Sequence, residues 1–225
     1  MAKAATGKAA RAGRAPAARD ERTEQRILEA AHGVFVRRGT AGARMQEMAQ
    51  EAGVNQALLH YYFRSKDRLA EAVFRRAAAE LLPRVIAVLG SDAVIEEKVA
   101  RVVELELDHL LRAPFLPGYL ISELHHHPER VPQLISAITG LSPGDIASKV
   151  FGKLRAQIAE RVDAGTMRPI TPDQFVVNLL ALCVFPFAAR PMLMALLGID
   201  QKGFERFIER RRTELSPFFL KALRP

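Results

Sequence analysis

MQEMAQEAGVNQALLHYYFRSKDR, residues 45–68, decides how the rest of the chain is read, because its spacing is that of two short helices joined by a tight turn. Met45, Met48 and Ala49 recur at i, i+3 and i+4, which predicts a first helix over 45–51 with one apolar face. Ala52-Gly53-Val54 then breaks the period: Gly53 supplies the positive φ that such a turn needs, and Val54 fills the angle between the helices. Asn55 is expected to cap the second helix by accepting an amide hydrogen from its first turn. That helix turns Leu58 and Leu59 inward and leaves Gln56, Ala57, His60 and Tyr61 facing out. A helix presented this way fits the major groove of duplex DNA, where its N-terminal residues meet base edges. An ordinary αα-hairpin has the same turn, so the flanking sequence has to discriminate.

Upstream, ILEAAHGVFVRRG (27–39) is a helix closing on F-x-x-x-G, and downstream Tyr62-Phe63-Arg64-Ser65-Lys66-Asp67-Arg68-Leu69 opens the next helix. With the A-x-x-A-G-V turn between them, these segments resemble the amino-terminal domain of TetR-family transcriptional regulators, and RVDAGTMRP (161–169) resembles that family's G-x-x-R-P turn. The resemblance implies an all-α fold: an N-terminal three-helix helix-turn-helix DNA-binding domain followed by a larger helical domain for effector binding and dimerisation. It also implies a regulator, in most cases a repressor, that leaves a palindromic operator when a small molecule enters a cavity in the helical body. DNA-binding residues are then Arg44, Gln46, Asn55, Gln56, Ala57, His60, Tyr61 and Lys66. Gln56, His60 and Tyr61 are expected in the groove, and Lys66 on phosphate. Two residues depart from the family pattern: Arg44 stands where a capping Ser or Thr is common, and His60 where Tyr is frequent.

Charge agrees with a nucleic-acid partner. Of the net +8, residues 1–19 hold +5, residues 20–70 +1, and the remainder +2. Positive charge therefore gathers at the end expected to meet phosphates. The Ala-rich stretch 1–19 reads as a disordered basic tail, serving either as a minor-groove arm or as an inert solvated leader. The domains are then 1–19 (tail), 20–66 (helix-turn-helix) and 67–225 (helical body). The single cysteine, Cys183, forbids an intrachain disulfide, and no apolar leader or 20-residue apolar span is present, so a cytoplasmic protein is expected.

Beyond Leu69 the chain reads as helices punctuated by Pro and Gly. A connector over 66–89 is expected to kink at Pro83. The next helix, capped by Ser91 or Asp92, carries the stripe Ile95, Val99, Val102, Val103, Leu107 and Leu110. Segments over 115–126, 128–139, 145–164 and 172–190 follow, and a last helix over 200–223. Phe175, Val176, Leu179, Leu180, Leu182, Cys183 and Val184 cover nearly every side of one helix, so a homodimer through the last helices is predicted, with Leu179 and Phe207 as contacts.

Polar residues inside apolar stripes mark a candidate effector cavity. Glu106 and Glu123 interrupt such stripes, and the expected lining is Glu106, His109, Phe115, Tyr119, Glu123 and Phe151, suited to a small apolar or aromatic effector. The alternative for both carboxylates is a solvent boundary or a pair with His109 or Arg112. His125-His126-His127 does not have metal spacing, since consecutive helical residues point about 100° apart. Arg210-Arg211-Arg212 reads as a solvated face flanked by Glu205, Glu209 and Glu214. No nucleophile elbow, phosphate loop or metal pair occurs, so no enzyme and no cofactor are expected. A DNA-binding regulator controlled by a protein partner is the alternative to small-molecule control.

Overall fold

The computed structural model describes residues 14–126 and 128–225, with side chains throughout except residues 14–19, 123, 124, 126, 130, 149 and 150. The described residues form eleven α-helices and one 3-10 turn, with no strand among them. The contacts divide into two compact units, one ending at Val73 and one running from Phe74 to Pro225.

The first unit holds α1 (Arg14–Gly42), α2 (Met45–Glu51), α3 (Gln56–Phe63) and the start of α4 (Lys66–Leu89). Residues 14–19, expected in the tail, are instead the first turns of α1; the remaining tail residues lie outside the described residues. Regular geometry in α1 breaks at Gly39 (φ 67°, ψ 171°), where the F-x-x-x-G motif places its glycine. The core is entirely apolar: Ile27, Ala31, Val34 and Phe35 of α1, Met48 and Ala49 of α2, Leu59 of α3 and Leu69 of α4 are all buried.

The second unit contains the rest of α4, α5 (Ile95–Arg112), α6 (Leu116–His126), α7 (Val131–Thr139), α8 (Pro143–Asp163), α9 (Pro172–Ala188), α10 (Arg190–Leu197) and α11 (Gln201–Ala222). Its centre is α5, packed between α9 and α11, with Val99, Val102, Val103 and Leu107 buried. Three expectations are corrected. Pro83 does not interrupt α4, which runs unbroken to Leu89. The residue flanking α5 is Val94, with no side-chain cap; Ser91 instead turns the loop, accepting from the Ala93 amide and donating to the Val88 carbonyl. And α8 starts at Pro143 rather than 145, because Ser142 and Asp145 form a reciprocal capping box.

The Arg210–Arg212 run is also more than a solvated face. Arg211 donates through Nε and Nη2 to the Leu182 carbonyl (3.1 and 2.8 Å), tying α11 to α9. Arg212 pairs with Asp108 of α5 as well as with Glu209. Guanidinium groups suit this work, since their forked donors reach a backbone or carboxylate acceptor while the stem stays against apolar surface. Among the described residues no single helix is long and apolar enough to cross a membrane; α9 and α10 reach that composition only together, bent by 73°.

Candidate nucleic-acid interface and effector site

The α2–α3 turn follows from local chemistry. Gly53 adopts φ 64°, and the Gly53 and Val54 amides donate back to the Gln50 and Ala49 carbonyls, closing α2 in a Schellman arrangement. Asn55 Oδ1 accepts from the Leu58 amide at 2.7 Å, so α3 begins where the sequence predicts. Arg44, at the head of α2, makes no side-chain cap, as its chemistry requires. Leu59 and Phe63 are buried, leaving Gln56, Ala57, His60 and Tyr61 on the exposed face; Tyr61 is 74% exposed, which no packing role explains. Arg44 and Gln46 are exposed beside them in sequence on α2.

Two of these residues have partners that the sequence did not disclose. His60 Nδ1 lies 3.1 Å from the Arg64 carbonyl and Nε2 lies 3.5 Å from Gln56 Nε2. With Nδ1–H donating, Nε2 is the acceptor for the Gln56 amide, which fixes the tautomer and aligns both side chains along one face. Arg64 itself has φ 58°, a strained value for a side-chain-bearing residue, at the end of α3. His60 thus braces that sharp exit while presenting its ring outward. Lys66 Nζ donates to the Ala41 carbonyl at 3.3 Å, holding the start of α4 against the end of α1. A lysine has three donors, so two remain for a phosphate. In the last turn of α3, Tyr62 donates to Asp20 of α1 and its hydroxyl pKa is raised, chiefly by that hydrogen bond.

In the second unit the polar interruptions of α5 are inside the protein. Glu106 is 6% exposed and His109 is buried. Burial raises the Glu106 carboxyl to about 7, and beside it the Cys183 thiol of α9 is pushed up to about 12, by burial first and by the Glu106 charge second. Phe115 is buried, and Tyr119 stacks on Phe74 of α4 with centroids 4.7 Å apart. Phe151 is half-buried, and the Glu123 side chain lies outside the described residues, as do the His126 side chain and His127. No group of three potential metal ligands occurs among the described residues.

Two open clefts are described, and neither is lined by these residues. One, of about 740 Å³, lies between α8, the 168–171 segment and α9; the other, of about 410 Å³, runs between α9 and α11 past Asn178, Ala181, Phe185 and Phe218. Near the second, Val177, Phe185 and Phe218 are each more than half exposed. Leu179, expected at an interface, is only 1% exposed and belongs to the chain's own core.

Sequence reasoning missed Lys98. It is fully buried, donating to the Leu89 carbonyl at the end of α4 (2.7 Å) and to Gln157 Oε1 of α8 (2.6 Å), while Gln157 donates in turn to the Ala93 carbonyl. Burial lowers its pKa. The signal in the sequence was present but weak: Lys98 adjoins Val99 at the edge of the apolar stripe.

Residues 27–73 match the family model for bacterial regulatory proteins of the tetR family. An HTH-type transcriptional repressor of Streptomyces coelicolor is 35% identical over 133 residues, which is 57% of this chain and 68% of that protein. The HTH-type transcriptional repressor NicS of Pseudomonas putida is 26% identical over 187 residues, 80% of this chain and 82% of that one. Among solved structures, the hemolysin II transcriptional regulator HlyIIR superposes with a TM-score of 0.55 at 22% identity, covering 91% of this chain and 98% of its own; at that identity it shows the shared fold.

Proposed function

Since the chain belongs to the TetR family of bacterial transcriptional regulators, we propose that it acts as a homodimeric repressor, released from a palindromic operator by a small molecule bound in its helical body. DNA binding through the helix-turn-helix is the family's property. What carries the reading to individual residues is the outer face of α3, where Gln56, His60 and Tyr61 stand exposed and aligned on a helix capped at both ends. Gln56 and His60 are the base readers, Tyr61 reaches base edge or backbone, and Lys66 takes a phosphate; Arg44 and Gln46 of α2 supply backbone contacts.

Two copies are needed because one α3 reads only a half-site. The apolar faces of α9 and α11 support a two-fold pairing, with Val177, Phe185 and Phe218 at its centre. The effector would sit beside Glu106 and His109 on α5, against Phe115 and Tyr119 at the start of α6, with Phe151 of α8 completing the wall. The connector α4 contributes Phe74 to the Tyr119 stack and continues into the helix-turn-helix, so a ligand that shifts α4 alters the spacing of two recognition helices. Ligand and operator would then oppose each other by roughly 1–3 kcal/mol.

Selection of bound sequences from a randomised operator pool tests the reading. Lys66→Ala should weaken all sequences alike and lower the salt slope by about one. Gln56→Ala should instead relax the choice at one base pair of each half-site. An unchanged ranking of operators with Gln56→Ala would overturn its assignment.

A further inference from the structure

Lys98 is buried and Arg211 and Arg212 are half-buried, and each of these three cations already has acceptors. Lys98 is spent on Leu89 and Gln157, Arg211 on the Leu182 carbonyl, and Arg212 on Asp108 and Glu209. Glu106 is the acid left over. Among the described residues no hydrogen bond or ion pair reaches its carboxylate, although it is only 6% exposed and lies on the same helix face as Val102, Val103 and Leu110. On α9 the Cys183 thiol feels the Glu106 charge, and at neutral pH that thiol neither donates a strong hydrogen bond nor carries charge. Arg211 of α11 acts on that thiol but spends its donors on the α9 backbone.

An ionised carboxylate in such surroundings is costly, and three outcomes relieve the cost: protonation, a protein cation, or a cation from outside. No lysine or arginine among the described residues pairs with Glu106 to supply the second. A chain indifferent to charge at this point would be served better by Gln or Leu, which fill the space without the penalty.

We propose that Glu106 is the counter-charge for an organic cation, so that the effector is a lipophilic amine or quaternary ammonium compound rather than a neutral or acidic one. This deepens the ligand-switch reading and rests on it. The cationic centre sits against the Glu106 carboxylate, and the organic portion occupies the apolar and aromatic surface of α5 and α6. A bulky cation is favoured over a small hydrated one because its own dehydration costs less, so that a buried ion pair yields a net gain. Binding also supplies the partner that the empty protein withholds from Glu106, which makes ligand affinity and body stability rise together.

Calorimetric titration of the full-length chain with alkyltrimethylammonium ions from butyl to decyl, and with alcohols and carboxylates of matched length, tests the assignment. The ammonium ions should saturate the protein and raise its melting temperature, and should lower its affinity for operator DNA. Glu106→Gln should weaken the ammonium ions by about tenfold or more, with the alcohols changed less than threefold; Glu106→Leu should do the same if the glutamine variant folds poorly. Alcohols or carboxylates binding the native chain as tightly as the ammonium ions would overturn the cation class while leaving the ligand switch standing. So would an ammonium affinity unchanged by Glu106→Gln, or zinc binding at Glu106 in place of the organic ions. Failure of all three series to bind would overturn both.

Discussion

The two units place their polar side chains in opposite ways. In the helix-turn-helix the core is apolar throughout and the candidate base contacts Gln56, His60 and Tyr61 stand on the outside of a short, capped helix. In the helical body three polar residues, Lys98, Glu106 and His109, are buried on one helix, α5, and none is buried among the described residues of the first unit. A reader of DNA must expose its donors to a partner that arrives from solvent, and its own stability then rests on ordinary apolar packing. A body that binds a small ligand has to keep polar groups inside, where each is costly until paired. The contrast teaches that substitutions in the first unit should separate function from stability, whereas in the second the two should move together.

The largest effect that could break this contrast lies at the outer face of α9 and α11, the one part of the body where function is expected on exposed residues. Val177→Glu or Phe218→Glu should convert a dimer to monomer and reduce full-site operator affinity by about a hundredfold or more, with the melting temperature of the monomer near the native one. Light scattering and gel shift measure it. By contrast Leu179→Glu, which places a charge in the chain's own core, should unfold the body.

Next in size is Lys98→Met. It removes the donor from two buried acceptors, the Leu89 carbonyl and Gln157 Oε1, and should destabilise the chain by about 3 kcal/mol in urea unfolding. Operator affinity measured well below the unfolding midpoint would change as well, because Lys98 fixes the end of α4. A loss below ~1 kcal/mol would show that water satisfies those acceptors and that the body tolerates its buried polar groups as the surface does.

Glu106 gives an effect of comparable size and opposite sign. Its carboxyl titrates near 7 in the folded chain against its usual 4.5. The folded state therefore holds a proton that the unfolded state has released, so native stability declines as pH rises from 4.5 to about 7 and levels off above. Glu106→Gln removes this term: the variant should match the native chain near pH 4.5 and exceed it at pH 8 by up to ~3 kcal/mol. A difference that does not grow between those two pH values would place Glu106 in contact with water and end its part in the contrast.

The smallest effect sharpens the picture of the first unit. Asn55→Ala removes the hydrogen bond to the Leu58 amide and should cost ~1 kcal/mol, with operator affinity falling in proportion to the frayed first turn of α3. Circular dichroism melting and gel shift report the two together.

Much of this was legible in the sequence, for an identifiable reason. Gly53, Asn55 and the Met48–Ala49 and Leu58–Leu59 spacings act on neighbours within one or two helical turns, so pattern alone located α2, α3 and their exposed residues. Pro172 and Asp200 likewise marked the ends of α9 and α11. The helical character of the rest of the chain followed from the same kind of periodicity, and the division into a small reader and a larger body from the resemblance to the TetR family. Contacts between elements distant in the chain were not accessible in that way. Periodicity shows which face of a helix is apolar but not what covers it, so Leu179 and Val177 were indistinguishable until α9 was seen packed on α5. Arg211 and Arg212 read as solvated because their acceptors, Leu182 and Asp108, are far away in sequence. Lys98 was passed over for the same reason, its partners lying on α4 and α8, and the sequence could flag Glu106 as out of place without revealing that Cys183 feels its charge. Local chemistry set the helices and their caps; only the tertiary packing decided which polar groups were enclosed, because enclosure is a property of several helices at once.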